Sequence, residues 1–339
     1  METKLLKANE ESIKLACELI KQGEVVGVPT ETVYGLAGDC NNSDAIKKIF
    51  LAKGRPQDNP LIVHISNMNM LNNLVSNVPT DAKILAEKFW PGPLTIIMPK
   101  GKNICDETCA GLDSVGIRMP LNRVAREIIE TSGIPFSAPS ANLSGKPSPT
   151  CAQDVYNDMK GKIPLIIDDG TSDAGIESTV ISVLNEKPII LRPGIITKEM
   201  IELALGKEVL IAKEVTAGVE NDSKVLSPGM KYKHYSPNAE VIILNGEIDK
   251  FINYVKNNKK EKTAVLCYDG EEELFDIPAI SYGKKDDDYS QAHNLFSSLR
   301  KLDEMGVTLV FARCPKTSGV SLAVYNRLIR SAGFKVINI

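Results

Sequence analysis

The sequence predicts an α/β protein: a twisted, mixed open sheet followed by a second, small doubly wound α/β domain. Three observations lead there. Short apolar runs of strand length alternate with amphipathic helical stretches through the first part of the chain, and strands crowd together towards Arg192. The pattern then fades between Gly206 and Asn238, with room for one more strand around Gly206–Ile211. Beyond it a second alternation of strands and helices runs for about a hundred residues, the size of a small domain.

Bulk properties agree. At 339 residues the chain has room for two domains. With 43% hydrophobic and 24% charged residues it has an ordinary globular composition. A net charge of −3 argues against a chain-wide basic surface but permits a basic cleft. No apolar run approaches the roughly 20 residues that span a bilayer, so no membrane contact is expected. The start, METKLLK, lacks the pattern of a signal peptide. The seven cysteines are an odd, scattered set without paired CxxC motifs, read as free thiols in a reducing compartment, the cytoplasm.

Taken in order, Asn9 caps a helix whose apolar positions Ile13, Ala16, Leu19 and Ile20 share a face, and Gly23 ends it. A buried strand follows over Val25–Val28. Asn42 or Ser43 opens a second helix, with Ile46, Ile49 and Phe50 inward and a stop at Gly54. Leu61–Ile65 reads as a strand with Leu61, Val63 and Ile65 on one face and Ile62 and His64 on the other. A helix over Thr80–Phe89 leads through the rigid turn at Trp90–Pro93 into a strand at Leu94–Met98. Further strands are expected at Val115–Arg118, Ile134–Ala138, Pro164–Asp168, Thr179–Leu184 and Pro188–Arg192. Helices are expected over Val124–Glu130, after a capping box formed by Thr150 and Gln153, and over Thr197–Leu205. In the second unit, strands fit Glu240–Leu244, Thr263–Cys267 and Val307–Ala312. Helices fit Ile248–Asn257, Tyr289–Met305 and Ser321–Ala332. The stretch between the units is too rich in aromatic and basic residues for a plain spacer.

There is no GxxxxGK[ST] loop, GxGxxG, HExxH or GxSxG, and with three histidines no nucleophile elbow has an obvious base. Instead, polar clusters sit at strand ends, where open α/β sheets bind ligands. Lys53 and Arg55 are placed to grip phosphates, or simply to complement a helix C-terminus. Arg118 ends a strand and points either towards a carboxylate or into a surface salt bridge. Ser140 and Asn142 make a dense polar turn, functional or merely capping. Ser178 follows Glu177 at a strand start, and Arg192 ends a strand. His64 is either a half-buried strand imidazole or a base, and Tyr34 is wall or ligand contact. The DDD run at Asp286–Asp288 reads as a solvated loop.

The segments Pro29–Leu36 (PTETVYGL), Lys53–Pro56 (KGRP), Asn59–His64 (NPLIVH), Pro91–Pro93 (PGP), Ser140–Asn142 (SAN), Ser178–Val180 (STV) and Leu191–Gly194 (LRPG) together resemble the YrdC-like threonylcarbamoyl-AMP synthases. They run in order through most of the first two hundred residues. Ser227–Pro237 (SPGMKYKHYSP) and the small α/β unit after it resemble the long, two-domain form. The division expected is a catalytic domain over 1–206, a linker over 207–238 lying over the site, and a small Rossmann-like domain over 239–339.

The resemblance implies condensation of L-threonine, bicarbonate and ATP to threonylcarbamoyl-adenylate and pyrophosphate. A separate transferase complex then modifies the tRNA adenosine beside the anticodon. It implies Thr32, His64, Arg118 and Ser178 for threonine. For ATP it implies Lys53, Arg55, Asn59, Ser114, Ser140, Asn142, Thr150 and Arg192, with His234 or Tyr235 closing over it. Mg2+ would enter with ATP, with no protein ligand assigned. Two rivals remain: an RNA-binding module without chemistry, whose binding would fall steeply with salt, and the hydrogenase-maturing carbamoyltransferase, whose zinc motifs this chain lacks. Direct tRNA contact is a secondary possibility.

Overall fold

The computed structural model describes residues 1–216 and 235–339. Among them two sheets form. The first takes β1 (Lys4–Lys7), β2 (Val26–Val28), β3 (Gly35–Asp39), β4 (Ile62–His64), β5 (Leu94–Pro99), β6 (Ser114–Arg118), β7 (Phe136–Ser137), β8 (Leu165–Asp168), β9 (Thr179–Ser182), β10 (Ile189–Arg192) and β11 (Leu210–Ile211). Their spatial order is β1-β8-β2-β3-β7-β4-β6-β5-β9-β10-β11. Pairing is mixed: β4 runs parallel to β6, whereas β5 and β6, β2 and β3, and β9 and β10 are antiparallel.

The helices of this part are α1 (Glu10–Lys21), α2 (Ser43–Lys53), α3 (Leu71–Leu74), α4 (Thr80–Phe89), α5 (Asp106–Cys109), α6 (Arg123–Ser132), α7 (Ala152–Met159) and α8 (Lys198–Leu205). Local signals account for most of them. Asn9 accepts from the Ser12 amide at 2.8 Å while Ser12 Oγ accepts from the Asn9 amide at 3.0 Å, a reciprocal cap that starts α1. Asn42 caps α2, and Thr197 caps α8.

The second sheet is all parallel, in the order β14-β13-β15-β12-β16. It contains β12 (Glu240–Asn245), β13 (Thr263–Cys267), β14 (Ala279–Ser281), β15 (Leu309–Arg313) and β16 (Val336–Asn338). Side chains alternate along β12. Val241 and Ile243 pack with α10 (Asp288–Glu304) and α11 (Ser321–Ser331) on one face, and Leu244 packs with α9 (Ile248–Asn258) on the other. That is the doubly wound arrangement. The cluster under α10 and α11 also takes in Val33, Ile176 and Tyr235, so the two parts share apolar core. Among the described residues no helix is long and apolar enough to cross a membrane.

Four strands lie outside the sequence expectation: β1, β3, β14 and β16. β1 exists because it pairs with β8, about 160 positions along the chain. β3 is built of GLAGD, which strand propensity disfavours. Small residues are required there because Gly38 lies against Ile49 and Ala45 of α2, and Gly35 against Ala138. The capping box at Thr150 is corrected: the N-cap of α7 is Cys151, without a side-chain cap, and Gln153 bonds Asn157 instead. Leu61 is corrected as well. It precedes β4 and packs with Ile46 and Phe50, apart from Val63 and Ile65.

Candidate functional site

β4 and β6 run side by side in parallel, and their register pairs His64 with Arg118. The two side chains line one cleft of about 740 Å³, which the β2–β3 loop closes with Thr30, Thr32 and Val33. The cleft is also lined by Lys53 and Arg55 at the end of α2, by Ser140 and Asn142 in the turn after β7, and by Ser178 and Arg192 at the ends of β9 and β10. Tyr235 also lines it, from beyond the undescribed segment.

The first group is tightly bonded. Arg118 Nη2 lies 2.7 Å from Glu31 Oε1, both side chains buried, and Nη1 donates to Thr32 Oγ1 at 2.8 Å. Thr30 donates its single hydroxyl proton to the Val33 carbonyl at 2.6 Å, so across the 2.8 Å contact between the two threonines Thr32 is the donor. His64 stacks on Phe136 with centroids 5.6 Å apart. Burial, helped by the nearby Arg118 charge, pulls its pKa down to about 3, so the ring is neutral at physiological pH. Its Nδ1 faces the Ile62 carbonyl at 3.3 Å, and a carbonyl can only accept. Nδ1 therefore carries the proton, and Nε2 is an acceptor.

The second group carries more charge. The Lys53 ammonium donates to the Ser140 carbonyl and, at 2.9 Å, to the Asn142 carbonyl, using two of its three N–H groups. Burial, then the neighbouring Arg55, depresses its pKa well below that of a free lysine. Ser140 Oγ donates to Asn142 Oδ1 at 2.6 Å. Arg192 donates to the Ser178 carbonyl at 3.0 Å and to its hydroxyl at 3.1 Å, and that hydroxyl also meets Thr95 Oγ1 at 2.8 Å. Gly194 is needed just beyond, since a Cβ there would sit 2.4 Å from the Thr179 amide nitrogen.

Burial alone would raise the carboxyl pKa of Glu177, the one acid among the described lining residues. Arg327 and then Arg192 outweigh it and hold the group below the usual range. Burial, then Glu177, raises the Tyr235 phenol. Tyr235 adopts a left-handed φ of 63° and packs on Phe296 of α10 at 5.2 Å. Four basic side chains and a ring of hydroxyls in one cleft suit a polyanion beside a small polar molecule.

Of the residues singled out from sequence, Thr32, His64, Arg118, Ser178, Lys53, Arg55, Ser140, Asn142, Arg192 and Tyr235 line this cleft. Asn59, Ser114 and Thr150 do not. Asn59 is fully buried with neither amide atom hydrogen-bonded. Ser114 lines a smaller neighbouring crevice with Thr95 and Gly116. Thr150 is buried, and its carbonyl accepts from the Ser172 amide. His234 lies outside the described residues. Tyr34 donates its hydroxyl to the Gly170 carbonyl at 2.6 Å and lies outside the cleft, within the core.

Sequence reading missed Glu31 as the partner of Arg118 and gave no task to Glu177. A carboxylate placed between two threonines directly after a buried strand was the available signal, because such a charge demands a cation.

Residues 18–194 match the family of the Sua5, YciO and YrdC proteins, described as "Telomere recombination". Residues 196–333 match the family described as "Threonylcarbamoyl-AMP synthase, C-terminal domain". The threonylcarbamoyl-AMP synthase of Pyrococcus abyssi is 41% identical to this chain, over 98% of it and 97% of the relative. That of Bacillus subtilis is also 41% identical, over 98% and 96%. The crystal structure of P. abyssi Sua5 complexed with L-threonine superposes with a TM-score of 0.90 at 40% identity, covering 100% of this chain and 99% of that one.

Proposed function

The chain belongs to the threonylcarbamoyl-AMP synthase family, in its two-domain form, and from that premise we propose that its cleft joins L-threonine, bicarbonate and ATP into threonylcarbamoyl-adenylate, releasing pyrophosphate. In class it is then a nucleotidyltransferase. We read residues 1–206 as the catalytic domain, 207–238 as the connecting segment and 239–339 as the second domain. The observation that carries the proposal is one cleft lined by hydroxyls, an imidazole and the Arg118 guanidinium together with lysine, arginine and amide groups.

On the first wall, Arg118 takes the threonine carboxylate with the N–H groups that Glu31 and Thr32 leave it, a charge-assisted contact worth roughly 1.5–3 kcal/mol. Thr32 meets the polar groups of threonine, together with Ser178 from its place beside Arg192, and the neutral His64 offers Nε2 as an acceptor. With its pKa so low, His64 holds substrate and does not serve as the base.

The threonine amine adds to CO2 derived from bicarbonate. The resulting carbamate oxygen attacks the α-phosphorus of ATP, and the bond to the β-phosphate oxygen breaks to release pyrophosphate. No covalent protein intermediate is needed. Lys53, Arg55 and Arg192 neutralise the polyphosphate, while Ser140 and Asn142 hold the nucleotide, so positioning and charge carry the rate. The assignment of Asn59, Ser114 and Thr150 to ATP rests on the family resemblance alone. Mg2+ is treated as part of the substrate, arriving as MgATP. The described lining offers it one carboxylate, Glu177, which Arg327 and Ser148 already occupy. Tyr235 would shield the reactive carbamate from water. The product would pass to a transferase complex acting on tRNA in the cytoplasm.

The test is mass spectrometry of the full chain incubated with MgATP, bicarbonate and isotope-labelled threonine. A labelled threonylcarbamoyl-adenylate peak that requires all three is expected. Its absence with folded protein would overturn the proposal.

A further inference from the structure

Two arginines of the second domain reach into the first. Arg300, on α10, donates to the Pro147 carbonyl at 2.7 Å and to Asp158 Oδ2 at 2.8 Å. The same oxygen accepts from the Leu143 amide at 3.3 Å, beside the turn that carries Ser140 and Asn142.

Arg327, on α11, goes deeper and has no exposed side-chain surface. Its Nε lies 3.0 Å from Glu177 Oε2, its Nη2 3.1 Å from the Glu177 carbonyl, and its Nη1 2.5 Å from the Pro193 carbonyl. Glu177 immediately precedes Ser178, and Pro193 immediately follows Arg192. Because Arg192 itself donates to Ser178, these five residues close a ring, and three of them line the cleft.

The charges matter as much as the geometry. Glu177 faces a cleft otherwise built for anions. Its second oxygen accepts from Ser148 at 2.6 Å, which leaves Arg327 to supply the countercharge from outside the first domain. Without Arg327, the buried carboxylate would repel a polyphosphate and compete for Arg192, the nearest cation left to it in the lining.

We propose that Arg327 is a positioning residue for the nucleotide wall: the second domain provides the charge that neutralises Glu177 and so keeps Arg192 available to the nucleotide. This rests on reading the cleft as an ATP site. The two-domain chain then needs its second domain to complete the nucleotide wall, and not only as support.

The test uses the full-length chain and steady-state kinetics in MgATP and in threonine. For Arg327→Met the apparent KM for ATP rises at least about tenfold while that for threonine changes less than about threefold, because three of the four threonine contacts, Thr32, His64 and Arg118, are held from within the first domain. Adding Glu177→Gln to Arg327→Met removes both charges and returns the ATP KM to within about threefold of wild type. An arginine with only a structural role would move both KM values together and gain nothing from the second substitution, and that outcome overturns the proposal.

Should Arg327→Met prove unfolded by circular dichroism, the double variant decides alone, and an ATP KM about tenfold or more above wild type rejects the idea. Should the wild-type chain fail to consume ATP with threonine and bicarbonate, the functional reading falls separately. The comparison then moves to MgATP binding by calorimetry, where equal affinities for wild type and Arg327→Met overturn the present inference.

Discussion

The two walls of the cleft are held in different ways. The wall of Thr32, His64 and Arg118 belongs to neighbouring strand ends and one loop of the first domain, and its charges close locally through the Arg118–Glu31 pair. The wall of Lys53, Ser140, Asn142, Ser178 and Arg192 is assembled from a helix end, a turn and two strand ends. It is braced by Arg300 and Arg327 from a different domain. A small, rigid substrate is served by a site that one sheet can build. A long, flexible polyanion needs a wider wall, and loops forming such a wall hold their geometry only when something fixes them from behind.

The comparison can be broken or sharpened by experiment. The largest effect is expected from Arg55→Ala, which should lower threonine-dependent pyrophosphate release by roughly 100-fold with unchanged circular dichroism. Wild-type turnover would remove Arg55 from the phosphate role.

Arg118→Lys keeps a charge opposite Glu31 but loses the fork. It should raise the threonine KM about tenfold or more while moving the ATP KM less than about threefold. An unchanged threonine KM would detach Arg118 from the carboxylate.

Next comes pH. The pKa of His64 falls from 6.5 to about 3 on folding, so between those values the unfolded chain binds a proton that the native chain does not. Stability present above pH 6.5 is therefore lost on acidification. Between about pH 6.5 and 5.5 the loss from this group is about 1 kcal/mol. Urea unfolding of His64→Asn should show a pH slope flatter by that amount, and an unaltered slope would mean that the imidazole is not held neutral.

The smallest effect belongs to Arg300→Met, which acts through Asp158 and Leu143. An ATP KM raised about threefold with threonine unaffected is expected from steady-state kinetics. A larger shift for threonine than for ATP would place the brace behind the wrong wall.

Helices were the most legible part of the fold. Thr80–Phe89 lies where its apolar spacing and flanking prolines put it, and Asn9, Asn42 and Thr197 cap as their side-chain chemistry demands. The unread strands are those whose reason for existing is a distant partner. Lys4–Lys7 needs Leu165–Asp168, and Gly35–Asp39 is shaped by the helix packed on it. At Thr150 the local capping pattern was present, but the N-cap is Cys151 and the helix begins at Ala152.

Much of the cleft could be read from polar residues at strand ends, with its motifs supplying what spacing could not. What could not be read were the pairings. Nothing local in the sequence ties Glu177 to Arg327, 150 positions along the chain, or tells whether Arg118 meets Glu31 before any ligand does.

The division of the cleft is tested most directly by titrating L-threonine and MgATP separately, by calorimetry, into wild type, Arg118→Lys and Arg192→Lys. The account predicts that Arg118→Lys loses threonine binding and keeps MgATP, whereas Arg192→Lys loses MgATP and keeps threonine. If both ligands weaken together in both variants, the cleft does not have two walls with separate tasks.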